Sequence, residues 1–266
     1  MKAGKVRKKV LALLLAGTAI LGLTGGGTMQ VEAAGQENAY VDTSSYEQLY
    51  KLYEDYFKLG IACQAMDHWN DPTAEIGNQE KEELINRMFN SMTFGNELKP
   101  AYNFDASSEN LFKVDFAAEE MLEWAKENNM KVRGHVLVWH SQVDPSIFAI
   151  DYQAYADGKL TKSDTAKLDE ECLVDREELL ARLKRYIYGV LEYTYKNGYA
   201  DVIYAWDVVN EAADENQYDG LRRSYWYQII GPDYLYYAFL YAREAETLYA
   251  NCLLYTSPSP RDGLLS

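Results

Sequence analysis

Between residues 57 and 250 four short apolar runs alternate with four stretches of helical period, and this alternation narrows the possible folds most. Residues 57–63, 91–94, 132–139 and 204–209 read as strands, rich in β-branched and aromatic residues and bounded by polar or Gly-containing segments. Between and after them, Leu84, Ile85, Met88 and Phe89 share one helix face, and Ala117, Met121, Trp124 and Ala125 share a second. Asp175 and Glu178 form a capping box ahead of the stripe Leu179, Leu183, Ile187, Val190, Leu191, which Asn197-Gly198 stops. Leu235, Phe239 and Ala242 mark a helix that starts at Pro232-Asp233. Ahead of the first strand, Tyr46, Leu49, Leu52, Tyr53 and Tyr56 predict a helix over 45–56, with Thr43 to Ser45 available to cap it. The thirty or so residues after Gln142 are polar and read as a loop decoration.

Strand–helix alternation means a parallel sheet built of βαβ units. A doubly wound sheet and a (β/α)8 TIM barrel both satisfy it. No Gly-rich phosphate loop follows the first strand, which counts against a nucleotide-binding sheet. Polar groups at three successive strand ends favour the barrel, whose chemistry sits on the loops after the strands. A complete barrel takes roughly 250 residues. The expectation is therefore α/β, with the first four units of such a barrel over 40–251.

The strand ends carry Asn96 and Lys99, then His135, Trp139, His140 and Gln142, then Asn210 and Glu211. Any one of these has an ordinary structural explanation, a satisfied core histidine or a solvated loop cation. Arriving once per β/α unit, they would meet on one rim, which a plain core does not require. The run 204–212 is the sharpest case: an apolar strand that ends in an amide and a carboxylate.

Residues 1–33 read as a secretory signal peptide: Lys2, Lys5, Arg7, Lys8 and Lys9 precede the apolar run 10–23, and Val31-Glu32-Ala33 suits cleavage. The run is about 14 residues, short of the ~20 that span a bilayer. The expected location is extracellular, with no membrane partner after cleavage. A net charge of −15 argues against nucleic acid and anionic membranes and favours a neutral substrate. Cys63, Cys172 and Cys252 are too few and too scattered for a disulfide framework or a metal knuckle. His135 and His140 lie five apart on a strand run, facing opposite ways, so no metal and no cofactor is expected. Residues 252–266, with their Ser-Pro repeat, break the helical pattern and read as an adaptor-like, non-native tail.

Three segments carry a family resemblance: 89–100 (FNSMTFGNELKP), 133–142 (RGHVLVWHSQ) and 206–212 (WDVVNEA). In that order they resemble glycoside hydrolase family 10, secreted endo-1,4-β-xylanases with a (β/α)8 barrel and a retaining mechanism. The resemblance covers about 45–250. It implies Glu211 as general acid/base and Asn210 as a hydrogen-bond partner of the sugar 2-hydroxyl. It implies His135, Trp139 and Gln142 along the sugar subsites at the cleaved bond, and Asn96 and Lys99 on the next sugar toward the non-reducing end. Many relatives carry Glu where this chain has Gly95, so one sugar contact is lost or comes from elsewhere.

Retaining hydrolysis needs two carboxylates about 5–5.5 Å apart, one protonating the leaving oxygen and one attacking the anomeric carbon. The resemblance puts the attacking group after strand seven, in a Thr-Glu-x-Asp-like segment that these 266 residues do not contain. Asp207 is no substitute, because four residues of strand separate it from Glu211 by roughly 13 Å. The expectation is a xylan-hydrolysing ancestry in a polypeptide that is itself inactive. A cellulase or mannanase barrel and a non-catalytic secreted polysaccharide-binding protein are the alternatives.

Overall fold

The computed structural model describes residues 44–65, 71–151 and 170–249. The signal-peptide and tail expectations, at 1–33 and 252–266, lie outside them. Four strands, β1 (Gly60–Cys63), β2 (Ser91–Phe94), β3 (Lys131–Val138) and β4 (Ile203–Val209), form one sheet in the order β1-β2-β3-β4. Every pairing is parallel. Gly60 pairs with Ser91, Ser91 with Lys131 and Val132 with Ile203. The helices between them are α1 (Gln79–Met88), α2 (Pro100–Asn103), α3 (Phe116–Glu127) and α4 (Arg176–Lys196), with α5 (Tyr225–Ile230) and α6 (Tyr234–Tyr249) after β4.

Three of the long helices, α1, α3 and α4, start where a side chain satisfies a free N–H group. Asn78 accepts from Lys81 N, Asp115 from Ala117 N and Asp175 from Glu178 N. The last is the capping residue read from the sequence. The α3 and α4 stripes are core: Ala117, Met121 and Ala125 are buried, as are Leu179, Leu183, Ile187, Val190 and Leu191. Tyr186 joins them, and burial pushes its hydroxyl far above the usual phenol range.

Three expectations are corrected. The helix over 45–56 is only a 3-10 turn at Leu49–Leu52. Tyr46, Leu49, Leu52, Tyr53 and Tyr56 are all exposed, so the periodic face has no burial to stabilise a short helix. The segment after Gln142 is no mere decoration: residues 143–149 are buried, and Pro145–Phe148 is a 3-10 turn. Arg182 of α4 holds it, donating from Nη1 to Ile147 O at 3.0 Å and Ala149 O at 2.7 Å. The buried face of α6 is Tyr234, Ala238, Ala242 and Ala245, and Phe239 is exposed. Small side chains there let α6 lie close against α4, which a Leu/Phe stripe would hold apart.

Glu246 is also on that buried face, 3% exposed, and its Oε1 has no hydrogen-bond partner among the described residues. Burial pushes its carboxyl up to about 7, with Arg243 at 3.9 Å offsetting this only in part. A raised carboxyl stabilises the fold fully below its ordinary value near 4.5, and that contribution disappears as pH rises toward 7. Glu246→Gln is expected to remove this dependence. Denaturant melts at pH 4.5 and 7.5 should show the unaltered chain losing up to about 3 kcal/mol relative to the variant.

Candidate active site

The C-terminal ends of β2, β3 and β4 bring most of the singled-out residues into one chain of contacts. After β2, Asn96 Oδ1 accepts from Lys99 Nζ at 2.9 Å, and Lys99 is buried. Glu97 between them faces inward: its carboxylate accepts from Ala65 N at 3.0 Å and Asn96 N at 2.9 Å, pinning the turn that presents Asn96 and Lys99. Lys99 Nζ lies 5.0 Å from the ring centre of Trp139, a cation–π contact linking the β2 and β3 ends. Trp139 Nε1 donates to Glu211 Oε2 at 3.1 Å, linking β3 to β4. His140 Nε2 is 3.8 Å from the same oxygen, and its ring meets that of Trp139 edge-on.

Glu211 is placed by its backbone as much as by its neighbours. Its φ of 50° is in the left-handed region, uncommon for a residue with a side chain and typical of strained functional turns. Asn210 N still pairs with Val138 O at 2.9 Å, so the strand ladder ends one residue earlier. Arg222 then accepts the task of holding the turn: its Nε donates to Glu211 O at 2.9 Å and its N to Ala212 O at 2.8 Å. Trp226 of α5 donates from Nε1 to Trp139 O at 2.9 Å and lines a crevice with Trp139, His140, Asn210 and Glu211.

One step back from the tips, His135 and Asp207 face each other in register. His135 Nδ1 is 2.9 Å from Asp207 Oδ2, and Arg133 bonds the other carboxylate oxygen through Nε and Nη2. Burial pushes the Asp207 carboxyl up, but the bonds from His135 and Arg133 outweigh it and leave it below its ordinary value. Asp207 therefore serves as the anion that fixes His135. The His135 ring centre is 6.1 Å from that of Trp139, so the pair supports the tryptophan from below. The β3 ladder slips between His135 and Val138, an irregularity of the kind that re-aims side chains beside functional sites. Gln142, at φ 44°, accepts from Ala101 N at 2.8 Å through its carbonyl and so joins the β3 loop to α2.

Asn96, Lys99, Trp139 and Glu211 are thus contiguous, with His135 behind them, whereas Gln142 enters through its backbone. Sequence reasoning missed Gln64, whose Oε1 accepts from Asn96 Nδ2 at 2.9 Å. It sits just past β1, so the rule that found polar residues at three strand ends would have found a fourth. It also missed Arg222 and Trp226, which follow no strand directly and carry no local signal. Among the described residues no group of three or more His, Cys, Asp or Glu could hold a metal, and no helix is long and apolar enough to cross a membrane.

A parallel sheet with alternating helices, its polar groups gathered at the strand ends, is the first part of a (β/α)8 barrel. Residues 48–257 match the family described as Glycosyl hydrolase family 10, and the chain belongs to that family. It is 38% identical over 199 residues to endo-1,4-beta-xylanase A of Thermotoga maritima, covering 74% of this chain and 16% of that protein. It is 40% identical over 198 residues to endo-1,4-beta-xylanase A of a Caldicellulosiruptor species, covering 74% of this chain and 25% of that one. A solved xylanase of Thermoanaerobacterium saccharolyticum superposes with a TM-score of 0.59 at 33% identity, over 76% of this chain and 54% of that one. Mutants of that enzyme have been solved with xylotetraose and with xylotriose. The chain spans about half the length of these solved relatives.

Proposed function

We propose that the chain is the glycone-binding and acid-bearing part of a secreted endo-1,4-β-xylanase acting by retention. The observation that carries this is the run of contacts Asn96–Lys99–Trp139–Glu211, which threads three separate strand ends into one rim. Glu211 is the general acid/base, with its carboxylate steered by Trp139 and its turn held by Arg222. Asn210 bonds the 2-hydroxyl of the sugar at the cleaved bond. His135, Trp139 and Gln142 shape that subsite, and Asn96 and Lys99 hold the neighbouring sugar. Apart from the Lys99 ammonium these are neutral hydrogen-bonding groups, suited to reading the hydroxyls of an uncharged xylo-oligosaccharide.

Retention also needs a second carboxylate about 5–5.5 Å from the first. Asp207 is committed to Arg133 and His135, so β4 supplies only one. The expectation is that the 266 residues bind xylo-oligosaccharides without cutting them, and that pairing them with the remaining strands of a family-10 relative restores hydrolysis. Reducing-sugar release from xylan, by the chain alone and by the completed barrel, tests both halves. Release by the chain alone, or none by the completed barrel, overturns the reading. Cellulose and mannan in the same assay separate it from other barrel glycosidases.

A further inference from the structure

We infer that Gln64 is a substrate-binding residue of this rim, its Oε1 fixing the Asn96 amide and its Nε2 donating to a sugar hydroxyl. The inference rests on the proposed sugar contact of Asn96. Gln64 follows β1 directly, so a fourth strand end joins the three already described. Its backbone is held on both sides: Gln64 N donates to Glu75 Oε2 at 3.1 Å, and Gln64 O accepts from Glu75 N and Ile76 N. The side chain therefore leaves from a fixed point, and its Oε1 accepts from Asn96 Nδ2 at 2.9 Å.

That bond decides the orientation of Asn96. With Nδ2 engaged by Gln64 and Oδ1 accepting from Lys99 Nζ, both ends of the Asn96 amide are specified and it cannot turn over. The space Gln64 occupies exists because residue 95 is Gly. A Cβ added there would lie 2.7 Å from Gln64 Cγ and 3.2 Å from Cδ. The missing side chain of Gly95 and the presence of Gln64 are one arrangement, a polar group supplied to the rim from β1 rather than from β2. An apolar side chain would fill the gap above Gly95 equally well. The amide is half-buried, and no partner for its Nε2 is found among the described residues, so it carries donors that a packing role leaves unused.

The test is titration of the unaltered 266-residue chain with xylotriose, followed through side-chain amide resonances, together with calorimetry of variants. The expected result is that the Gln64 and Asn96 amide signals shift together. Gln64→Ala should weaken xylotriose binding about tenfold, the scale of one hydrogen bond lost and one amide set free. Gly95→Ala should weaken it comparably by displacing Gln64, and should add nothing in the Gln64→Ala background, the mark of a shared cause. A purely structural Gln64 would leave its own amide signal unmoved by the sugar. Asn96 shifting without Gln64, or undiminished binding by folded Gln64→Ala, overturns this inference and leaves the functional reading standing. Should the variants not fold, the titration of the unaltered chain decides alone. No binding of xylotriose by the unaltered chain overturns the functional reading and this inference together.

Discussion

In a barrel completed with the remaining strands of a relative, Glu211→Ala is expected to lower kcat/KM on xylan about 10²–10⁴-fold, the usual contribution of a positioned general acid. The fall should be in kcat, because a general acid acts on the leaving oxygen and contributes little to holding the sugar. A substrate whose leaving group needs no proton should lose far less in the first step, which separates an acid from a binding group. The geometry also makes the loss sensitive to Trp139. Its indole N–H is bonded to Glu211 Oε2, and its ring lies under Lys99, so removing it takes a contact from two rim groups at once. Unchanged turnover in Glu211→Ala would take the acid/base role away from Glu211.

Gly134→Ala is expected to destabilise the fold by about 1–3 kcal/mol, the range for overpacking a tight interior. Gly134 pairs with Trp206 across β3 and β4, and a Cβ there would lie 2.4 Å from the indole Cε3 and 2.5 Å from Cδ2. Trp206 is 8% exposed and packs against the glycine, so an added methyl group meets the indole in a close-packed interior. Because His135 and Asp207 are the next residues of the same two strands, the strain should reach the rim. Thermal unfolding monitored by tryptophan fluorescence gives the stability. Gly220 is the contrast: nothing lies within 4 Å of an added Cβ, and only its φ of +74° resists substitution. A Gly134→Ala chain as stable as the unaltered one would show that Trp206 packs elsewhere.

The sheet and the α3 and α4 stripes were legible because burial and periodicity agree there: every residue picked for the α4 stripe is core. The helix over 45–56 misled because period alone says nothing about whether a partner surface exists. The α6 face slipped because Leu235 and Phe239 look more like core than Ala238 and Ala245, although closely packed helices select the smaller residues. Residues 143–149 were hidden because their burial depends on Arg182, far along the chain. At the rim, residue types and strand ends were readable, and Asn96, Lys99, Trp139 and Glu211 do meet. The tertiary detail was not: the left-handed turn at Glu211, the Arg222 brace and the Arg133–Asp207–His135 set all depend on neighbouring strands being in register.

The strand order β1-β2-β3-β4 follows the chain, and every strand pairs with the one made before it. A sheet of that kind can grow in one direction as the polypeptide leaves the ribosome, each new strand finding its template already in place. Asn96, Lys99 and Trp139 are all synthesised before Glu211, so the carboxylate arrives at partners already made, and Arg222 and Trp226 follow it to brace the turn.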